Sequence, residues 1–320
     1  PERCYNTFMF SWIFGHRKNT KHVLAIDLGT ASISAAVAVQ YGKRDSKTAA
    51  IPCEVLKVLR YPINLLSYQL SGEGNKIPYI LKDGFLKMFK EAESVSRHVD
   101  VILIALSDPF FVDKKVKKTV MRPHPALPVS RAEVGALVKS LEDEVGTKPL
   151  VVAGGGTLSI KVSGYEVANP VGYTGKSLEI EAVFTLVSST LKDYVAEAKE
   201  TFFPGSEVRF YSDARVLRQA LLATENLFDP VLTVDIGGEV TGVFWADKHT
   251  IEHAGASAFG IRTLARRVGA SFKTDLAEAE ALLKKYTAGT LDEAPKVKLE
   301  RALSSALADW WSFFKTAKQT

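Results

Sequence analysis

The sequence is poor in cysteine, and its two cysteines, Cys4 and Cys53, are far apart. They form no pair with metal-ligand spacing, which argues against a disulfide scaffold and fits a reducing compartment such as the cytosol. No segment reaches the ~18 consecutive apolar residues that a membrane-spanning helix needs. Motifs of nucleic-acid-binding modules are also missing, and a net charge of +5 with a pI near 9.0 is too weak to imply such a partner. We therefore expect no nucleic-acid partner.

The composition is that of a globular protein, with 46% hydrophobic and 24% charged residues in a chain of 320. This length suffices for roughly two to three domains. The first residues differ from the rest, because Phe8–Phe14 is rich in aromatics and is followed by His16, Arg17 and Lys18. A secretory signal would have its charges before the apolar run. Two interpretations explain this tail: an interfacial membrane anchor, or a leader that packs locally or is disordered.

One short pattern occurs twice. Val23–Gly29 and Leu232–Gly238 each combine an apolar strand, an aspartate, an apolar residue and a glycine turn, and a second strand follows each of them. Two β-type runs around a glycine turn predict a hairpin. A single hairpin of this kind is weak support for a function, but two in the same context indicate two related halves of one protein.

The paired hairpins predict a phosphate clamp. Glycine leaves room for an approaching phosphate, and free amides of the turn form an anion-binding nest. An aspartate just before each turn, Asp27 or Asp235, is suited to hold Mg²⁺ through water. No P-loop or dinucleotide fingerprint is present. The predicted phosphate-binding residues are Gly29, Thr30, Ala31, Ser32, Gly237, Gly238 and Thr241.

The two hairpins resemble the phosphate motifs of the actin and sugar-kinase superfamily, with Asp27–Thr30 as the first and Asp235–Gly238 as the second. Within that superfamily, Asn169–Glu179 is similar to the Asn-Pro-x-Gly-x-x-Gly-x-x-Leu-Glu stretch of the bacterial cell-division protein FtsA. This stretch is the most specific match. The order of the motifs agrees with FtsA over about residues 22 to 286.

The resemblance implies an α/β protein with an actin-like ATPase fold. Such a fold has two related βββαβα-type halves, here with an FtsA-type (SHS2-like) inserted subdomain. The expected divisions are an N-terminal tail (1–21), a first actin-like subdomain (22–107 and 188–229), the insertion (108–187), the second half with its phosphate hairpin (230–262), and a helical subdomain (263–320). No Gly-Gly adenosine motif follows residue 286, so we expect the sequence to stop before that motif and before any C-terminal membrane helix.

The resemblance also implies a function. FtsA-like proteins bind ATP and Mg²⁺ with weak or no ATPase activity, and they self-associate into filaments or dimers. They are cytoskeletal adaptors of the division septum that link FtsZ filaments to the cytoplasmic face of the inner membrane. The acidic C-terminal tail of FtsZ docks on the helical subdomain. The basic residues that could receive it here are Arg262, Arg266, Arg267, Lys284 and Lys285.

Three departures from the family pattern bear on nucleotide binding. Glu239 and Gly242 stand where the family usually has a glycine and an aspartate. A carboxylate at residue 239 costs phosphate affinity unless Mg²⁺ or a basic side chain offsets it. Gly154–Gly156 resembles a phosphate loop, but we expect a turn at the end of a strand.

Two other functions fit the same architecture. The first is a scaffold like PilM of type IV pilus assembly, which grips a short peptide of an inner-membrane partner. The second is a sugar- or acetate-type kinase, which requires a catalytic base beside the γ-phosphate. The sequence shows no distinct aspartate for that role, and the Asn169–Glu179 stretch disfavours a kinase.

Overall fold

The computed structural model describes residues 20–42, 53–63, 77–224, 229–247 and 250–317. They form three β-sheets with helices packed between and around them. Residues 1–19 of the predicted N-terminal tail lie outside this described part. Within it, no helix is long and apolar enough to cross a membrane.

The first sheet has five strands in the order β3-β2-β1-β4-β9. Its strands are β1 (Thr20–Leu28), β2 (Ser32–Tyr41), β3 (Cys53–Pro62), β4 (Val101–Leu106) and β9 (Glu207–Ser212). β1 and β2 form the first predicted hairpin, while β1, β4 and β9 run parallel. The carboxyl ends of these three strands meet at one edge, which is where open α/β sheets bind their ligands.

Helices α1 (Ile77–Val95) and α3 (Ser189–Phe202) bury one face of this sheet. Alternation along β1 directs Leu24 and Ile26 into a shared core with Phe85 and Phe89 of α1. Both phenylalanines are fully buried, and each such side chain contributes roughly 1.5–3 kcal/mol to folding. This core holds the end of β1, and therefore the first turn, in place.

An inserted unit lies between β4 and α3. It contains β5 (Val112–Met121), α2 (Arg131–Val145), β6 (Leu150–Val162), β7 (Tyr165–Glu166) and β8 (Ser177–Ser188). Its strands form a sheet in the order β5-β8-β6-β7. Leu137 and Leu141 of α2 pack on Leu178 and Ile180 of β8 in a second core that belongs to this unit.

The triple glycine does not form the strand-end turn that the sequence predicts. Gly154–Gly156 lies inside strand β6. A Cβ atom at Gly154 would come within 2.5 Å of the carbonyl oxygen of Phe210 on β9, and one at Gly155 within 2.6 Å of the Phe184 ring. Glycine is required because β6 approaches β9 of the first sheet closely.

The second half begins with β10 (Val231–Ile236), β11 (Thr241–Ala246) and β12 (Ile251–Ser257), an antiparallel sheet in that order. It repeats the β1-β2-β3 arrangement of the first half. Over the described residues it continues with helices and not with the βαβ part of the predicted βββαβα unit. Helix α4 (Asp213–Thr224) precedes this sheet, and α5 (Ile261–Phe272), α6 (Leu276–Thr287) and α7 (Glu293–Ala317) follow it.

Candidate functional site

The two predicted turns touch each other. The amide of Glu239 donates a hydrogen bond to the Thr30 hydroxyl at 2.9 Å. A Cβ on Gly238 would lie 2.3 Å from the Cβ of Ala31, so only glycine allows this approach. Asp27 and Asp235 occupy one cleft beside the turns. Burial raises the pKa of Asp27, and the charge of Asp235 raises it further.

The turn amides are only partly free for an anion. The amides of Gly29 and Gly237 close their own hairpins by donating to Ser32 and Val240. Within the described residues, the amides of Thr30, Ala31 and Gly238 have no acceptor. These three donors therefore remain available to a phosphate.

Two other predicted phosphate ligands are engaged elsewhere. The Thr241 side chain is fully buried, and its hydroxyl donates to the carbonyl of Phe259 at 2.6 Å. The same hydroxyl accepts a hydrogen bond from the Trp310 indole at 3.2 Å. The Ser32 hydroxyl lies 3.3 Å from that of Ser34. Thr241 thus links the second hairpin to helix α7 and does not face the cleft.

Basic side chains neutralise the unusual carboxylate in the second turn. Glu239 is buried, and Arg266 grips it with hydrogen bonds of 3.1 and 2.7 Å. Arg262, one helical turn earlier on α5, approaches it at 4.0 Å. Such a bidentate pair is among the stronger charge-assisted contacts. The negative charge of Glu239 needs a basic side chain to offset it, and helix α5 supplies two.

Internal ion pairs occupy three of the five basic residues that were predicted to receive an acidic tail. Arg262 and Arg266 hold Glu239, and Arg267 pairs with Asp309 of α7 at 2.6 Å. Lys284 and Lys285 are exposed in the last turn of α6. These two lysines do not hold the second turn, so an acidic tail can reach them. To reach the three arginines, the tail would have to displace their internal carboxylate partners.

Helix α5 also braces the second turn through its backbone. The amides of Ile261 and Arg262 donate to the carbonyls of Gly237 and Gly238 at 3.0 and 2.9 Å. These are amides of the first turn of a helix, which otherwise have no partner. The Arg262 guanidinium also donates to the carbonyl of Ile63 at 2.6 Å, a bond that joins α5 to the first half.

The cleft contains two acidic residues that sequence reasoning missed. Asp213 follows the end of β9, and Asp108 follows the end of β4. Asp213 is buried, and its Oδ2 has no hydrogen-bond donor among the described residues. Burial, together with the nearby Asp235 and Asp108, raises the pKa of Asp213 to about 8. Asp213 is therefore mostly protonated at neutral pH. The signal that could have revealed both is their place after parallel strands.

Asp108 explains the glycine at position 242. Gly242 pairs with Asp235 across the second hairpin, and a Cβ on it would lie 2.8 Å from Oδ2 of Asp108. The carboxylate that the family pattern expects from the second half is thus replaced in space by one from the first half. The same oxygen lies 3.1 Å from Nε2 of His253 on β12. This hydrogen bond raises the pKa of His253, and burial opposes the shift.

The donor set fits a cation held through water. No three acidic, histidine or cysteine side chains in the described ranges are placed to ligate a metal ion directly. Carboxylates nevertheless gather around one cleft and disfavour each other's charge. Mg²⁺ commonly keeps several waters and takes one or two carboxylates. Asp27 and Asp235 would hold it, with the free turn amides beside them for the phosphates of a nucleotide.

A second concave feature lies between the first sheet's helices and the inserted unit. It is an apolar cavity of about 290 Å³. Its lining includes Leu81 of α1, Phe110 and Phe111 after β4, and Leu191 and Tyr194 of α3. A space of this kind accepts large apolar side chains, because their burial is favourable without polar partners. Sequence reasoning gave no indication of this cavity, since its walls come from distant segments.

Comparisons with known proteins agree with the fold. No protein-family model matches the sequence, and no curated protein is similar to it in sequence. In structure, the chain is similar to the PilM–PilN type IV pilus biogenesis complex, with a TM-score of 0.54 and 14% identity over 91% of this chain and 75% of that one. The ethanolamine utilization protein EutJ from Carboxydothermus hydrogenoformans gives 0.43 and 14% over 93% and 71%. A protein with an actin-like ATPase fold from Bacteroides thetaiotaomicron gives 0.39 and 9% over 80% and 78%.

Likeness at such low identity shows the fold alone. The chain has a mixed α/β actin-like fold, as the paired hairpins predict. None of these similarities is specific to FtsA, so that resemblance holds at the level of the fold. The FtsA type of the inserted unit is not confirmed.

Proposed function

We propose that the chain is an actin-fold scaffold of the PilM kind, which holds a short segment of a membrane partner at the cytoplasmic face of the inner membrane. The similarity to the PilM–PilN complex favours this function over the division adaptor that the sequence first indicates. The internal pairing of Arg262, Arg266 and Arg267 also speaks against docking of an acidic FtsZ tail on these residues.

The observation that carries the proposal is the apolar cavity beside the inserted unit. Its walls combine Phe110, Phe111 and Tyr194 with aliphatic side chains, and Val112 at its margin is 49% exposed. Buried aromatic and aliphatic anchors dominate the energetics of protein interfaces. A partner can reach the cavity at this margin and place one or two large apolar side chains inside it.

Nucleotide serves as a structural ligand in this proposal. Mg²⁺ and ATP bind between the two turns and join the halves. In the second turn, the Thr241 hydroxyl is bonded to the carbonyl of Phe259 and Glu239 is paired with Arg266, so neither side chain is available to orient an attacking water. Slow or absent turnover is therefore expected, which suits a scaffold better than a kinase.

Val112→Arg is expected to weaken peptide binding at least about tenfold, because it places a solvated charge at the mouth of an apolar cavity. Fluorescence anisotropy with a labelled N-terminal peptide of a PilN-type protein measures the affinity. Val58→Arg is the matched control, since Val58 is 70% exposed on β3 and does not line the cavity. Both substitutions are at exposed positions, so the free energy of unfolding should change little.

The same assay separates the two main functions. An acidic peptide from the FtsZ tail is titrated in parallel with the pilus-type peptide. Binding of the FtsZ tail alone would reject the proposed function in favour of the division adaptor. Equal binding by the wild type and Val112→Arg would show that the cavity is not the docking site.

Mg-ATP is expected to raise the melting temperature of the wild type and to leave that of Asp27→Ala unchanged. A ligand that binds only the folded state stabilises it by about 2.7 kcal/mol at 100 times its dissociation constant. Asp27 faces Asp235 in the cleft, so its loss removes one of the two carboxylates for the ion. Asp193→Ala, an exposed position on α3, is the control. If Mg-ATP leaves the melting temperature of the wild type unchanged, nucleotide binding is contradicted.

A further inference from the structure

One short segment touches both the cleft and the cavity. Residues 108–113, called the connecting segment below, start two residues after the end of β4 and include the first two residues of β5. Pro109, Phe110, Phe111 and Val112 line the cavity. The residues at the two ends, Asp108 and Asp113, make side-chain contacts with other parts of the structure. A shift of either end therefore displaces the residues between them, which form the cavity wall.

The first end is anchored in the cleft and reaches across it. Oδ2 of Asp108 lies 3.1 Å from Nε2 of His253 and occupies the space that a side chain at Gly242 would fill. Both partners belong to the second half. Just before it, the amide of Ser107 donates to the carbonyl of Leu28, next to Asp27 in the first hairpin. This end therefore depends on how the two halves sit against each other.

The second end is anchored beside the buried acid of the cleft. Asp113 accepts hydrogen bonds of 2.6 Å from both the Ser212 and the Thr185 hydroxyls. Ser212 immediately precedes Asp213, and Thr185 is a fully buried residue of β8 in the inserted unit. The cavity wall is thus fixed between contacts to the second half and contacts to the insertion.

We propose that the connecting segment couples the cleft to the cavity, so that the Asp108–His253 contact between the halves sets the affinity of the cavity for its peptide. This inference rests on the proposed function and names the regulation of that site. A segment of six residues that is held at both ends has little conformational freedom. When the second half moves away from Asp108, the first end of the segment is released, and the walls at Phe110 and Phe111, which follow it directly, can shift against the core on which they pack. The coupling is reciprocal: if the contact between the halves changes the affinity for the peptide, binding of the peptide changes the stability of that contact by the same free energy.

The contact is sensitive to the charge of the histidine. The carboxylates of Asp108 and Asp113 both favour protonated His253, and the imidazole forms a T-shaped contact with the Phe244 ring. The adjacent Glu252 pairs with Lys115 of β5. The pKa of His253 is raised, so the charge-assisted bond is complete below its ordinary value and weakens as the pH rises through the raised one. Peptide affinity should fall over the same interval.

The test measures binding of the labelled PilN-type peptide between pH 6 and 9. His253→Ala should weaken binding by about fivefold at pH 6, the lower end of typical coupling between sites. His253→Gln keeps a neutral donor for Asp108, so it should bind better than His253→Ala and lose the histidine's part of the pH profile. Val58→Arg is the control and should behave like the wild type, since Val58 is exposed on β3 and does not line the cavity. Asp213 is unchanged in every variant, so the difference between wild type and His253→Gln isolates the histidine.

The outcomes separate the two proposals. If the wild type binds no pilus-type peptide, the proposed function fails. If the wild type binds it, and His253→Ala matches the wild type in both affinity and pH profile, the coupling is wrong while the function stands. If His253→Gln retains the full pH profile of the wild type, the pH-sensitive group is not His253 and the inference is overturned in that part.

Discussion

Asp213→Asn should stabilise the fold at neutral and alkaline pH, and it should flatten the dependence of stability on pH. Asp213 is buried, its Oδ2 finds no donor in the part of the chain that the structure describes, and its pKa rises from 3.8 to about 8 in the folded chain. An asparagine side chain is neutral at every pH. Its amide can also donate to the neighbouring Asp235, which an ionised aspartate cannot do.

The sign follows from proton linkage. Between pH 4 and 8 the folded chain keeps a proton on Asp213 that the unfolded chain releases. The free energy of unfolding therefore falls as the pH rises through this range, and the favourable contribution present below pH 4 is lost by pH 8. One pKa unit corresponds to ~1.4 kcal/mol. We expect Asp213→Asn to raise the free energy of unfolding by about 2–4 kcal/mol at pH 8, because the neutral side chain avoids this loss.

Urea denaturation at pH 5, 7 and 8.5 without divalent cations measures this effect. Asp193→Asn, on the exposed side of α3, is the matched control and should follow the wild type. A wild type whose midpoint is level over this range would show that Asp213 is not the strained acid that its surroundings indicate. The same holds for a variant that loses stability at pH 8.5.

The sequence predicted the turns and missed the acids behind them, for a physical reason. The hairpins are local, because each strand, aspartate and glycine turn lies within about ten residues, and periodicity shows such elements. The cleft, in contrast, collects the ends of β1, β4 and β9, which lie far apart in the chain. Asp108 and Asp213 become members of one site only when the order of these parallel strands is known.

The triple glycine shows the same limit. Its composition suggests a loop, yet Gly154 is a strand residue whose missing side chain admits the backbone of Phe210. Nothing near it in sequence indicates that contact.

The Asn169–Glu179 stretch, which is the most specific match to FtsA, is explained by local structure. The Asn169 side chain accepts a hydrogen bond from the amide of Val171, which is the geometry of an Asx turn. Gly172 adopts a φ of +95°, a value that favours glycine. A Cβ at Gly175 would lie 2.6 Å from Ser163 and Val162. These residues are required by a turn that leads into β8, so they report the backbone of an insertion and do not discriminate between functions.

Gly260→Ala should be strongly destabilising, with a loss of about 2–4 kcal/mol in the free energy of unfolding, at and above the usual range for overpacking. A Cβ at this position would lie 2.4 Å from the carbonyl oxygen and 2.5 Å from the carbonyl carbon of Gly238, and 2.6 Å from the oxygen of Gly237. All three are backbone atoms, which cannot rotate away as a side chain does. The second turn would have to separate from helix α5.

That separation would break the bonds by which Ile261 and Arg262 hold the turn, and each such bond is worth about 0.5–1.5 kcal/mol. It would also withdraw Glu239 from Arg266. Gly135→Ala on α2 is the matched control, because a Cβ there meets nothing within 4 Å and alanine favours a helix. Urea midpoints of the two variants should move in opposite directions. Equal midpoints would mean that α5 does not brace the second turn, and other contacts between the halves, such as those of Thr30 and Asp108, would then have to hold the cleft together.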